Sequence, residues 1–323
     1  MEKNTFYTDI PYVNKKVSRI FAGTAFPLIQ NGKDGTEVFE AALANGINAF
    51  DTARNYMHAE RSLGNWLEKS GKRDEVVILS KCAHPDIFGR KRVNEKAMRK
   101  DLEKSLKELK TDYIDIYLLH RDDPETDVAV PVEVFNAMHS EGKIGAFGGS
   151  NWTHTRIEEA NEYAYKHNLI SFSVSSPNFG LARQAQDPWG GGCVTISGPE
   201  NEEARAWYEK NQMPVIAYSS LGRGLFSGKM KSTDKDRVQD FLDSPAVKGY
   251  ACEDNFERLK RCELLAEKYN VTVPQIAMSW IFAQPINTFA AASMSRNERM
   301  IKNVEAFNLE ISTEEVAYLD LRC

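Results

Sequence analysis

Several apolar runs in this chain end in residues able to do chemistry. Ile47–Phe50 leads into Asp51, Val76–Ser80 into Lys81, and Ile114–Leu119 into His120. Ile144–Gly149 leads into Ser150 and Asn151, and Pro214–Ala217 into Tyr218 and Ser219. The stretch Asp51-Thr-Ala-Arg-Asn-Tyr56 adds a phenol in the loop behind the first run. A carboxylate, an ammonium, an imidazole and a phenol on one face make a site that moves protons. An ammonium at the mouth of a closed interior needs a partner, and Asp51 on a neighbouring strand end can supply it. A lone tyrosine in such a loop is usually a packing residue, but the lysine changes that reading. The cation favours phenolate, so the Tyr56 pKa, ordinarily about 10, is expected to be pulled down. Such a phenol can act as a general acid. His120 can orient a carbonyl oxygen or relay the proton. No metal ligand set and no activated serine accompany these residues.

The runs are separated by helix-like stretches, and the alternation of strand and helix argues for a parallel sheet with helices packed on it. In such sheets, and above all in closed eight-stranded barrels, the carboxyl ends of the strands carry the chemistry. Helices are expected over 34–45, 58–69, 94–110, 130–141, 153–167, 200–210, 255–268, 273–283 and 296–306. The strongest, Asn94–Lys110, carries Ala97, Leu102, Leu106 and Leu109 as an apolar stripe among charged residues. Asn94 and Thr153 read as N-caps. Thr5–Asp9 and Lys16–Ala22 alternate around Pro11–Asn14 and predict an N-terminal hairpin, and Thr288–Ala292 reads as the final strand. Two segments break the rhythm. Gly180–Gly198, with Trp189 and the run Gly190–Gly192, is too glycine-rich for a helix, and Leu221–Tyr250 follows the strand ending at Tyr218. Both are expected to emerge as long loops at the carboxyl face, where such loops usually serve binding. Tolerated surface insertion is the plainer reading of them.

The bulk composition narrows the classes. With 323 residues, 42% of them hydrophobic, the chain has the length and core of a single α/β barrel, so one domain over 1–323 is expected. No segment approaches the roughly 20 apolar residues of a membrane span. Met1–Thr8 is polar, without the apolar stretch of a signal peptide. Net charge is −5 with both signs mixed along the chain, and no basic stripe points to nucleic acid. The cysteines, Cys82, Cys193, Cys252, Cys262 and Cys323, are an odd, scattered set without C-x-x-C. Reduced thiols in a cytoplasm explain them, and a structural zinc site is not expected.

Taken in order, five motifs resemble the aldo-keto reductases, TIM (β/α)8 barrel enzymes that reduce carbonyls with a nicotinamide cofactor. They are Phe-Asp51-Thr-Ala-x-x-Tyr56 followed by Glu60 and Gly64, the Lys81 strand, and Asp112-Tyr-Ile-Asp-Ile-Tyr-Leu-Leu-His120. Then come Gly142-Lys-Ile-Gly with Gly149-Ser-Asn151, and Ala217-Tyr218-Ser-Ser-Leu-Gly-Arg-Gly-Leu-Phe-Ser-Gly-Lys229. The resemblance implies an α/β TIM barrel with an N-terminal β-hairpin and long carboxyl-face loops. It implies Tyr56 as acid, Lys81 and Asp51 as its tuning pair, and His120 as the residue that positions the carbonyl. It further implies that Tyr218 stacks on the nicotinamide while Ser150 and Asn151 hydrogen-bond its carboxamide. Ser219, Leu221, Gly222 and Lys229 would hold the pyrophosphate region, with Thr24 bordering the same cofactor. The absence of G-x-G-x-x-G after the first strand fits a family that binds its cofactor extended across a barrel mouth. Arg299 and Asn303 would face the 2′-phosphate and adenine, with Ser293 and Ser295 near the phosphate. Positive charge on Arg296, Arg299 and Lys302 favours NADP(H) over the alternative, NAD(H).

Three positions depart from the family pattern. Ser175 stands where a glutamine often contacts the carboxamide, Ser220 where a proline is common, and Met294 where some members use a phosphate-binding hydroxyl. The tail after Asn308 is short and is not expected to build the substrate lid of longer members. That task falls to Gly180–Gly198, with Trp189 as its anchor. Phe26, His58, Phe88 and Trp152 are further pocket candidates, each equally readable as packing. The substrate implied is a small-molecule carbonyl, and the polar, tryptophan-bearing loop together with several hydroxylated residues suggests a sugar-derived one. Two other readings remain open. One is a Schiff-base lyase using Lys81 as nucleophile. The other is a non-catalytic NADP(H)-binding sensor, although all four catalytic positions are filled.

Overall fold

The structure, a computed structural model, describes residues 5–293 and 295–323. The first residues of Met1–Thr8, and Met294, lie outside them. An antiparallel hairpin of β1 (Tyr7–Thr8) and β2 (Val17–Ser18) precedes β3 (Ile20–Gly23). It is shorter than expected. Pro11 has no N–H to pair and Tyr12 takes a left-handed φ of 65°, so the ladder stops early. The remaining strands are β4 (Ala49–Asp51), β5 (Val77–Cys82), β6 (Ile114–Leu119), β7 (Ile144–Ser150), β8 (Val174–Ser176), β9 (Val215–Ala217) and β10 (Thr288–Ser293). With β3 they close into a barrel in the order β10-β3-β4-β5-β6-β7-β8-β9. This is the TIM (β/α)8 arrangement that the alternation predicts.

The helices are α1 (Pro27–Gln30), α2 (Thr36–Ala44), α3 (Ala59–Ser70), α4 (Glu95–Leu109), α5 (Ala129–Ser140), α6 (His154–Lys166), α7 (Glu202–Asn211), α8 (Ser244–Tyr250), α9 (Glu253–Tyr269), α10 (Val273–Phe282), α11 (Asn297–Asn308) and α12 (Thr313–Leu319). All nine expected helices are present, and α1, α8 and α12 are additional. These three are too short to show a period. Their signals are local instead: proline in the first turn of α1 and α8, and a Ser312–Glu315 capping box on α12. Both expected N-caps form, Asn94 accepting from Ala97 N at 3.0 Å and Thr153 from Arg156 N at 3.2 Å. Among the described residues no helix is long and apolar enough to cross a membrane.

The chain divides into two compact units, Met1–Ser176 with Ser293–Asn297 and Pro177–Ala292 with Glu298–Cys323. In the first, β4, β5 and β6 are buried along their whole length. Close packing fixes two glycines there. A Cβ at Gly148 would stand 1.9 Å from the Val174 carbonyl on β8. One at Gly64 would stand 2.2 Å from the Glu108 carbonyl, so α3 and α4 touch backbone to backbone. At the amino ends of the strands Asp115 gathers Lys15 Nζ, Arg73 Nη2 and the Ile78 N–H, each at 2.9 Å.

In the second unit, Gly180–Gly198 folds back on its own stem. Asn178 N donates to Val194 O at 2.8 Å, and Gly180 N to Ser197 Oγ at 3.0 Å. Asp187 pins the loop tip by accepting from the N–H groups of Trp189 and Cys193. Leu221–Tyr250 holds short 3-10 turns and α8, and Ala185 N reaches Gly249 O at 2.8 Å, tying the two loops together. The C-terminal α12 is fastened to α9, where Glu315 accepts from Lys268 and Tyr269, both at 2.7 Å.

Asp115 is nearly inaccessible and neutralises two cations, so its removal leaves both without their shared carboxylate. Asp115→Ala is expected to lower unfolding stability by about 3 kcal/mol, measured as a shift of the urea midpoint. A loss below about 0.5 kcal/mol would mean that solvent takes over the role of the carboxylate.

Candidate active site

Asp51 closes β4, and Lys81 sits inside β5, which runs on to Cys82, rather than just beyond its end. The parallel register sets Asp51 beside Leu79 and Lys81 beside Leu118. The two charged side chains are buried and ion-paired, and Lys81 Nζ also donates to the Thr52 carbonyl at 3.1 Å. A buried ammonium without such partners would be expelled or discharged. Tyr56 is half-buried, with its ring centroid 5.2 Å from Lys81 Nζ. His120 follows the end of β6, buried, its ring 5.6 Å from that of Tyr56 and nearly perpendicular to it. The structure therefore brings together Asp51, Tyr56, Lys81 and His120.

Electrostatics alters one expectation. Burial is the largest influence on the Tyr56 phenol and raises its pKa above the ordinary value. Lys81 opposes by charge and hydrogen bonding but does not overcome it, partly because Asp51 cancels much of the ammonium's field. The expected lowering is thus outweighed, and the phenol keeps its proton. Burial works to lower the Lys81 pKa, yet Asp51 and Tyr56 raise it on balance, so the amine stays charged. Burial, with help from the Lys81 charge, holds His120 far below its usual range and keeps it neutral. Its Nδ1 is buried and has no hydrogen-bond partner among the described residues.

Three further residues shape this centre: Glu60, which the sequence motif carries without a role, and Arg54 and His84, which sequence patterns do not single out. Arg54, in the loop that carries Tyr56, pairs with Glu60 of α3, and Glu60 accepts from Ser80 of β5 at 2.7 Å. Glu60 is fully buried, so this clamp fixes the loop against the barrel wall. His84 stands beyond β5 with its ring 4.9 Å from that of His120, edge to face. The only sequence signal for it is position, since it trails Lys81 closely and precedes Pro85.

The residues assigned to a cofactor fall into several local settings. Thr24 is buried and donates to the Asp51 carbonyl at 3.0 Å, fastening β3 to β4. Ser150 donates to Ser176 O at 2.8 Å, and Asn151, left-handed at φ 60°, donates to His120 O at 3.0 Å. Ser175 is fully buried beside Gly149. Tyr218 is half-buried at the end of β9. Ser219, Gly222 and Arg223 are left-handed at φ 53°, 56° and 50°. Such a turn can direct successive N–H groups to one side, a geometry that suits phosphate oxygens. Leu221 lies within this turn, and Lys229 is exposed. At the start of α11 Arg299 is half-buried, Asn303 is buried, Ser293 is exposed and Ser295 is half-buried. Lys302 pairs with Glu298 at 2.8 Å, so it adds little free charge.

The pocket candidates separate as clearly. Phe26 is buried next to α1. His58 is exposed at the start of α3 and leans on Gly32. Phe88 is 76% exposed at a loop tip beside Arg90. Trp152 is buried against Phe172, and a Cβ on Gly149 would meet its indole at 2.5 Å, so it serves as packing. Trp189 is 44% exposed, with its ring 6.4 Å from Tyr218 and under the guanidinium of Arg223. Among the described residues no group of side chains could hold a metal ion.

Comparison with known proteins agrees with this geometry. The profile of the Aldo/keto reductase family matches residues 29–321. Aldo-keto reductase YhdN of Bacillus subtilis is 29% identical, covering 86% of this chain and 82% of its own. Aldo-keto reductase str7 of Strobilurus tenacellus is 25% identical over 96% of this chain and 87% of its own. L-glyceraldehyde 3-phosphate reductase of Escherichia coli O157:H7 is 26% identical over 88% of this chain and 82% of its own. With its barrel, its buried ion pair and this match along nearly the whole sequence, the chain belongs to the aldo/keto reductase family and is an oxidoreductase.

Proposed function

We propose that the protein reduces a small aldehyde or ketone, of sugar-derived type, to the alcohol, using NADP(H). The observation that carries this reading is the half-buried Tyr56 phenol, 5.6 Å ring to ring from the buried His120 imidazole, with a buried Lys81–Asp51 pair behind them; burial favours the protonated phenol and the neutral imidazole. A bound reduced nicotinamide supplies the hydride, to the carbonyl carbon. Tyr56 donates its phenolic proton to the carbonyl oxygen, and Lys81 stabilises the phenolate left behind. His120 donates a hydrogen bond that orients the same oxygen. The rival use of Lys81 as a Schiff-base nucleophile needs a free amine, and Asp51 works against that by keeping it protonated.

The donor set suits a nicotinamide nucleotide. Tyr218 offers an aromatic ring for the nicotinamide, with Ser150, Asn151 and Ser175 as its carboxamide partners. The turn holding Ser219, Leu221 and Gly222, left-handed at Ser219 and Gly222, together with Lys229, suits the pyrophosphate. Arg299, with Ser293, Ser295 and Asn303, would receive the 2′-phosphate and adenine. Trp189 and Phe26 remain the aromatic candidates for the substrate side. The relative named as an L-glyceraldehyde 3-phosphate reductase supports a short, oxygenated aldehyde as the substrate type. Five free cysteines, two of them buried, fit a reducing cytoplasm.

Tyr56→Phe is expected to lower kcat/KM for carbonyl reduction by roughly 10²- to 10⁴-fold while NADPH binding holds. Stopped-flow reduction and fluorescence titration read the two effects, and near-normal turnover would remove Tyr56 as the acid. Because the phenol is raised, its ionisation in the free protein should lie above about pH 10. Tyrosinate absorbance of wild type minus Tyr56→Phe should then show no step below that pH, and a step near pH 7 would contradict the electrostatic account. Arg299→Ala should weaken NADPH binding about 10- to 100-fold and NADH binding little. Equal losses for both nucleotides would place Arg299 elsewhere.

A further inference from the structure

His84 is held with care that no step above explains. Ala83, ahead of it, takes a left-handed φ of 57°, and its N–H donates to Asp101 Oδ2 at 3.0 Å. Asp101, buried on α4, also receives Arg92 at 2.8 Å, and Arg92 donates to the His84 carbonyl at 3.1 Å. The backbone on both sides of the imidazole is thus tied to one buried carboxylate. The ring then meets His120 edge to face, 4.9 Å between centroids.

Its two nitrogens are differently engaged. Nδ1 lies 2.9 Å from the Pro85 carbonyl, which can only accept, so Nδ1 carries the hydrogen. Nε2 has no hydrogen-bond partner among the described residues and, unlike His120 Nδ1, is not sealed from solvent. Burial and the nearby Arg121 and Arg92 charges keep the ring neutral. A neutral ring with its hydrogen on Nδ1 presents Nε2 as a lone-pair acceptor. What such an acceptor reads is a donor on the ligand, and on a carbonyl compound that donor is a hydroxyl.

We infer that His84 Nε2 accepts a hydrogen bond from a hydroxyl on the carbon next to the substrate carbonyl, making the protein selective for α-hydroxy aldehydes and α-hydroxy ketones. The inference rests on the reductase reading, because it places the carbonyl between Tyr56 and His120. The hydroxyl then extends from the carbonyl towards the ring that abuts His120. A methyl group in its place would leave Nε2 desolvated and unpaired, which is how a polar pocket rejects an analogue lacking the hydroxyl.

The test is a comparison of isosteric pairs with NADPH: hydroxyacetone against butanone, and glycolaldehyde against propanal, each corrected for the hydrated fraction. The hydroxyl also changes intrinsic reactivity, so the informative quantity is how the kcat/KM ratio of each pair changes on substitution. His84→Phe keeps a ring without an acceptor and should lower the hydroxy-to-deoxy ratio roughly tenfold. His84→Gln, which restores an acceptor oxygen, should recover part of it. An unchanged ratio in His84→Phe, or equal losses for both members of a pair, would overturn the inference and leave the reductase reading standing. Wild-type protein that reduces none of the four compounds, nor other carbonyls, would overturn both.

Discussion

The site is built around one costly requirement, the burial of a charged lysine in a barrel wall. Lys81 lies within β5, where its ammonium is buried, and the carboxylate at the end of β4, helped by the Tyr56 phenol, lets it stay ionised. The parallel register of β4 on β5 is what makes that pairing available. Once formed, the pair is nearly neutral from a distance. That neutrality explains why the neighbouring phenol responds more to burial than to the cation. A Lys81 without Asp51 would pull the Tyr56 pKa down, and an Asp51 without Lys81 would push it further up. Together they leave a protonated phenol with a cation at hand to receive the phenolate.

The same barrel separates strength from reactivity along its axis. At the amino ends, Asp115 satisfies Lys15, Arg73 and a backbone N–H at once, an arrangement with nothing left over for a ligand. At the carboxyl ends, satisfaction is incomplete by comparison. His120 keeps a buried nitrogen without a partner, and His84 keeps an accessible one. Buried polar groups are normally paired, so an exception at a strand end points to function. Between the extremes, the Arg54–Glu60 clamp spends charge to hold one short loop still, and that loop bears Tyr56.

How much of this was legible in the sequence follows from the range of each interaction. Strand ends such as Asp51 and His120 announce themselves because an apolar run stops at an ionisable residue. Helix caps such as Asn94 and Thr153 are also local and were readable. The sign of the Tyr56 shift was not, because it depends on the burial of the ring and on the cancellation of Lys81 by Asp51, both tertiary quantities. The hairpin strands were overestimated, since alternation cannot register that Tyr12 turns left-handed. Trp152 reads equally as pocket or packing in the sequence, and what the sequence does not show is that the missing side chain of Gly149 gives its indole a buried seat. His84 had no sequence signal beyond its position near Lys81. Its significance lies in a ring contact with His120 and an anchor on Asp101, neither of which leaves any periodic trace.

The unpartnered nitrogen of His120 bears on the direction of the chemistry. A histidine in a catalytic role usually has its tautomer fixed by a hydrogen bond to its second nitrogen. Here no such bond is present among the described residues, and orientation comes from packing between the Tyr56 and His84 rings. Two neutral tautomers remain. Hydrogen on Nδ1 would bury an N–H with no acceptor and strand a strong donor in a low-dielectric site. Hydrogen on Nε2 instead leaves only a lone pair buried, and orphaned acceptors are tolerated more often than orphaned donors. Burial therefore selects the Nε2–H form without any partner to enforce it. The two neighbouring imidazoles then differ in kind: His120 offers a donor suited to a carbonyl oxygen, and His84 an acceptor suited to a hydroxyl. In the proposed reading, that opposition would recognise a carbonyl and an adjoining hydroxyl as a unit, and it arises from burial on one ring and the Pro85 carbonyl on the other.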